Sequence, residues 1–163
     1  LLYKPLISFL EICYVPISKF DFEIIIKKFE HDDKTYIDEE LSFISKINSH
    51  INRFQLSEFA QFISLSFLFF CPNSKVHYSA DIGGKDDLFL FKEEACDILI
   101  SETTHVGINE IEKAIIDLNP AKVYLTHINN KDEEKLVFWH NKIETLLKNK
   151  IIIAFDGLKI KIN

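Results

Sequence analysis

The sequence has no methionine and one tryptophan, with only four glycines, four prolines and three cysteines in 163 residues. So little Gly and Pro excludes a collagen-like, linker-rich or low-complexity chain. Cys13, Cys71 and Cys96 show neither paired nor metal-type spacing, which excludes a disulfide scaffold and a cysteine-ligated zinc module. Such cysteines fit small buried residues in a reducing, cytoplasmic setting. Long apolar runs are also missing. The longest, residues 62–71, is broken by Ser64 and Ser66, so neither a membrane span nor a membrane partner is expected. No signal peptide is visible at the N-terminus. Positive charge is in deficit, 19 Lys and Arg against 25 Asp and Glu, and the formal charge of −6 argues against a general nucleic-acid surface. A chain opening Leu1-Leu2-Tyr3 without Met is expected to be a piece of a longer protein.

What is present is a folding sequence: 47% hydrophobic residues with fifteen phenylalanines, enough for one domain with a core. Up to about residue 82 apolar and polar residues alternate. Strands are expected over Phe22–Phe29, Leu41–Ile47, Phe62–Phe70 and Lys75–Ile82, the last two joined by a hairpin at Cys71-Pro72-Asn73-Ser74. A short helix is expected over Pro5–Cys13, while Ser57–Gln61 fits no pattern clearly. Beyond residue 82 the pattern turns to helix then strand. Helix Asp86–Glu94 leads to strand Asp97–Ile100, and helix Asn109–Leu118, N-capped by Asn109, leads to strand Lys122–Thr126. Helix Lys131–Lys148, acidic at its start and basic at its end, leads to Ile151–Phe155. A turn at Asp156-Gly157 and Leu158–Ile162 complete an expected hairpin. The fold class is therefore α/β (α+β), with helices covering one face of a sheet.

Two segments point at chemistry. Val76–Gly83 and Tyr124–Ile128 are short apolar runs that each end in one metal-ligating residue, Asp81 and His127, where a turn begins. The context of both resembles the metallo-β-lactamase-fold hydrolases, in the branch of ribonuclease Z and related phosphodiesterases. Tyr78-Ser79-Ala80-Asp81-Ile82-Gly83 is similar to that branch's Tyr-Ser-Gly-Asp-Thr-Gly, and Leu125-Thr126-His127 to its Leu-Thr-His. Residues 95–104 resemble its Ala-Asp, three hydrophobic residues, then His-Glu-Ala-Thr, with Ser101 standing where the histidine would be. Ala154-Phe155-Asp156-Gly157-Leu158 resembles the closing Ala-x-Asp-Gly-Met. The four segments keep order and spacing over residues 62–163.

The resemblance implies the C-terminal portion of a four-layer αββα sandwich: one partial domain over 1–163, made of a strand-rich part (1–61) and a β/α half (62–163). It implies two divalent metal ions, with zinc expected, bridged by Asp81, with His127 on one metal and His50 on the other. Glu102 and His105 are the implied catalytic pair, the glutamate orienting a histidine that protonates the leaving oxygen. The family's His-x-His-x-Asp-His motif, source of most metal ligands, occurs nowhere in the sequence. Catalytic zinc generally takes three protein ligands and an open position. The missing N-terminal half or a second chain, a homodimer included, is thus the expected partner, and a phosphodiester or other small molecule the expected substrate. The rival reading is a non-catalytic scaffold that keeps the fold without metal. His31, His77 and His140 read as structural or solvent-facing residues, and Phe67, Phe69, Phe70, Phe89 and Phe91 as packing.

Overall fold

The computed structural model describes residues 3–15, 20–25, 27–51, 55–57, 60–61 and 63–162. Helix α1 (Tyr3–Ile12) is followed by β1 (Thr35–Tyr36), β2 (Ser42–Asn48), and a short pair β3 (Gln55–Ser57) and β4 (Ala60–Gln61). Then come β5 (Ser64–Cys71) and β6 (Ser74–Tyr78), two 3-10 turns, and β7 (Ile98–Glu102). Helix α2 (Ile108–Leu118), β8 (Lys122–Thr126), α3 (Glu133–Lys142), α4 (Thr145–Lys148) and β9 (Ile151–Ile153) complete the chain.

Seven strands form one mixed sheet in the order β1-β2-β5-β6-β7-β8-β9. Pairing is antiparallel from β1 to β6 and parallel from β6 to β9. This arrangement sets where chemistry can gather. The parallel strands β6, β7 and β8 all deliver their C-termini to one edge. Because β5 runs opposite to both of its neighbours, β2 also ends at that edge. Four loops, each following a different strand, therefore meet at the place where open α/β sheets bind ligands.

Alternation along the strands separates two faces. Leu99, Val123, Leu125 and Ile151 point to the helical side and pack with Ile111, Ala114 and Ile115 of α2, Leu136 of α3, Ile82 and Leu88. The opposite face carries a ring cluster in which Phe43 lies 5.2 Å from Phe29, 5.7 Å from Phe67 and 5.9 Å from Phe69. Tyr78 on that face is 41% exposed.

Five expectations are corrected. The described part of 22–29 is not a strand, and Phe22 and Ile25 are exposed. Phe29, itself 41% exposed, sets its ring against Phe43 and Phe67. The expected helix 86–94 is a pair of 3-10 turns, Lys85–Phe89 and Lys92–Glu94. The expected helix 131–148 is broken at Ile143, which is extended. Eighteen residues of continuous helix would run about 27 Å. The chain must instead turn back, so that Lys150 accepts the Val123 N–H and Ile151 enters the sheet. Finally, 158–162 forms no strand: after Ala154 donates to Leu125 and Leu158 to Phe155, the ladder ends. Asn109 is not the N-cap of α2 either. Gly107 holds that position, its N–H donating to the Glu110 carboxylate at 3.2 Å.

Candidate metal and acid–base site

Asp81, Glu102, His105 and His127, with His50 after β2, meet at the shared strand edge. The His127 Nδ1 donates to Asp81 Oδ1 at 2.6 Å, with both side chains about half exposed. The His105 ring lies 4.7 Å from that of His50 and 5.9 Å from that of His127, edge to face in both cases. Three imidazoles thus line up across the edge, with one carboxylate bonded at the end of the row.

Glu102 is the buried anchor of this group, 2% exposed. Its Oε1 accepts the Ile82 N–H at 3.0 Å and His105 Nδ1 at 2.8 Å. Its Oε2 accepts the N–H groups of Thr104 at 2.8 Å and His105 at 3.0 Å. One carboxylate therefore fixes the loop after β7, the residue following Asp81, and the His105 ring. Since a carboxylate oxygen accepts, Nδ1 carries a hydrogen, and Nε2 is the ring nitrogen that the carboxylate does not engage.

Beneath the site runs a belt of buried polar groups that the sequence reading did not pick out. Asn48 Nδ2 donates to Ser66 Oγ and to the Asp81 carbonyl, both at 3.1 Å, and Asn48 Oδ1 accepts the His50 N–H at 3.1 Å. Ser66 Oγ donates to the Ser79 carbonyl at 2.7 Å, and Ser79 Oγ accepts the Glu102 N–H at 3.2 Å. Ser64 also donates to the Asp81 carbonyl. The signal was visible as small polar residues on otherwise apolar strands, but their partners lie up to 33 residues away.

Backbone strain sits at the same edge. Ala80 has φ 53° and His127 φ 48°, left-handed conformations that cost an L-residue about 1–2 kcal/mol. Both residues lie where strand gives way to site loop, and the left-handed step turns the chain out of the sheet. The resembling motif carries Gly where Ala80 stands.

Two open recesses of about 560 Å³ each adjoin the histidine row. One lies against His105, with Thr103, Thr104, Glu110 and Asp132 in its wall. The other lies against His127, with Asn130, Glu133, Phe155 and Asp156. Among the described residues, no Lys or Arg lines either one.

The remaining histidines stand apart. His77 is fully buried on the helical side of β6, edge to face with Phe91 at 5.1 Å, and burial pushes its pKa down to about 4. Its Nε2 has no partner among the described residues. His140 contacts the Ile151 carbonyl, and exposed His31 pairs with Asp32.

A metal fits this donor set only in part. Asp81 and His127 are side by side at the exposed edge with oxygen and imidazole donors suited to zinc. Among the described residues, however, no group of three or more His, Cys, Asp or Glu is arranged to hold an ion.

The fold that carries this site is that of the metallo-β-lactamase proteins. The chain superposes on the metallo-β-lactamase fold protein YhfI from Bacillus subtilis over 80% of its length and 53% of that chain, with TM-score 0.56 and 17% identity. A protein from Parabacteroides distasonis assigned as a metal-dependent hydrolase matches with TM-score 0.55 and 10% identity, over 78% of this chain and 56% of its own. A diphosphatase of the PhnP family matches with TM-score 0.53 and 18% identity, over 82% and 48%. The chain thus spans about half the length of these neighbours. No protein-family profile matches the sequence, and a search of curated proteins finds no match. Among the described residues no helix is long and apolar enough to cross a membrane.

Proposed function

We propose that these residues form part of the active site of a metal-dependent hydrolase that acts on a small phosphodiester. The observation that carries this reading is the meeting of His50, Asp81, Glu102, His105 and His127, drawn from four loops, at one sheet edge. Asp81, His127 and His50 are the residues that would hold two divalent metals. The other ligands would come from a preceding half-domain or a second chain. Bound metals would supply Lewis-acid activation of water and of the phosphoryl oxygens.

The chain's own residues supply orientation and a proton. Asp81 fixes the His127 ring through Nδ1 and leaves its Nε2 unengaged by that bond. Glu102 does the same for His105, so that His105 keeps Nε2 for the site. Once protonated there, it donates to the departing alkoxide while the buried carboxylate stabilises the imidazolium. The acidic residues in the walls, Glu110 and Asp132 in one recess and Glu133 and Asp156 in the other, favour a small substrate over a long polyanion.

Asp81→Ala in the full-length protein tests this. Metal-dependent turnover of bis-p-nitrophenyl phosphate should fall at least about 100-fold, and bound metal should drop, by elemental mass spectrometry. Normal turnover in that variant sinks the assignment.

The rival reading, a scaffold that kept the fold without the metal, has its own observation. Asp81 and His127 satisfy each other, and no three potential ligands converge among the described residues. Metal content of the wild-type protein decides between them: about two metals per chain favours the hydrolase, and none favours the scaffold.

A further inference from the structure

One carboxylate near the site is held by neither ion pair nor solvent. Asp87 is 7% exposed, and among the described residues it forms no salt bridge. Its oxygens accept only dipoles. Oδ2 takes the Gly83 N–H at 2.9 Å, the Ser49 hydroxyl at 2.7 Å and the Ser49 N–H at 3.1 Å, and Oδ1 shares that last N–H at 3.1 Å. Gly83 lies two residues after Asp81, and Ser49 one residue before His50. These segments come from the parallel and the antiparallel parts of the sheet and are 38 residues from carboxylate to hydroxyl along the chain. They also approach as closely as backbone can: a Cβ on Gly83 would lie 2.4 Å from the Ser49 carbonyl oxygen.

We propose that Asp87 is a positioning residue that locks the His50 end of β2 against the Asp81 loop and so sets the spacing of these two ligand positions. A residue that only capped its own 3-10 turn would bind Gly83 and nothing across the sheet. Asp87 instead makes most of its bonds to Ser49. Asn48 supports the same junction from below, through the His50 N–H and the Asp81 carbonyl. All of Asp87's bonds are directed inward, so it acts through its neighbours. The significance of the lock rests on the proposed metal site, and the test separates the two.

The full-length protein, as wild type, Asp87→Ala, Asp87→Asn and the remote core truncation Ile115→Ala, is labelled with carbon-13 at histidine Cε1. Spectra are recorded without metal, and Co²⁺ is then titrated by absorbance. Without metal, Asp87→Ala should move the His50 and His105 resonances and leave His140 in place. With Co²⁺, it should weaken affinity about 10- to 100-fold and alter the d–d bands, as loss of an orienting partner does. Asp87→Asn keeps an oxygen for Gly83 and Ser49 and should stay within about threefold of wild type. Should Asp87→Ala not fold, Ser49→Ala removes the hydroxyl bond alone and should move the same resonances by less. Unchanged His50 and His105 resonances overturn the proposal whether or not metal binds. So does an equal loss of Co²⁺ affinity in Ile115→Ala. A wild-type protein that binds no Co²⁺ overturns the metal reading instead, and the metal-free resonances then decide for or against the lock.

Discussion

Replacing Glu102 by glutamine changes one atom in a side chain that is 2% exposed and accepts four hydrogen bonds. The amide has two ways to sit, and both cost. With its NH₂ in place of Oε2, it confronts the N–H groups of Thr104 and His105, leaving two part-buried donors without their acceptor. With its NH₂ in place of Oε1, it confronts one backbone N–H, that of Ile82, and the His105 ring. The ring can adapt by moving its proton to Nε2 and accepting at Nδ1. The second arrangement is therefore cheaper, and it reverses the tautomer of His105. One unpaired buried donor and the loss of a charge-assisted bond amount to about 2–3 kcal/mol. For a chain of this size that lowers Tm by roughly 5–10 °C. Urea denaturation followed by circular dichroism measures the first quantity, and nitrogen-15 spectra of the imidazoles read the tautomer. A Glu102→Gln variant within about 0.5 kcal/mol of wild type, with His105 still protonated at Nδ1, would refute this account of the anchor.

Three further outcomes are expected. Ala80→Gly should raise stability by about 1 kcal/mol, because glycine meets φ 53° without the penalty that alanine carries there; an unchanged or lower urea midpoint would contradict the left-handed assignment. Gly83→Ala should cost about 2 kcal/mol or more, since its methyl group meets the Ser49 backbone rather than a movable side chain; a neutral effect on Tm would show that the two segments are not in contact. His77 is held neutral, with a pKa of about 4 against an ordinary 6.5, so below pH 6.5 the unfolded chain binds a proton that the native one refuses. Stability from this residue is complete above 6.5 and is lost as pH falls towards 4, by about 3 kcal/mol in total. Urea midpoints at pH 7 and 5 should differ in the wild type and much less in His77→Leu, and equal slopes in both proteins would exclude burial of the imidazole.

Local pattern was enough to find most strands and to set Asp81 and His127 at strand ends, whereas His50, Glu102 and His105 came from the resemblance to a known family. Asp81 and His127 each follow a short apolar run and precede polar turn residues, and in a sheet that position places a side chain at an edge. Glu102 is the last residue of β7, His105 follows that strand, and His50 follows β2. Alternation likewise located β2, β5, β6 and β8 to within a few residues. It could not say that the apolar pattern at 22–29 lacks a pairing partner, or that residues 158–162 do. Pairing is a property of two segments, whereas propensity belongs to one. The same holds for the break at Ile143, where an amphipathic pattern continues but the chain must return to the sheet.

By itself, the sequence determined the class of fold, the approximate place of most strands, and which residue types stand at their ends. Only the tertiary structure decided how they meet. β5 runs opposite to β2 and β6, and this brings His50 to the edge that holds Asp81 and His127. Folding also gave Asn48 and Asp87 their roles, because a buried amide or carboxylate must find partners wherever the chain brings them. For Asp87 those partners are 38 residues upstream at Ser49, a distance that no local pattern can encode.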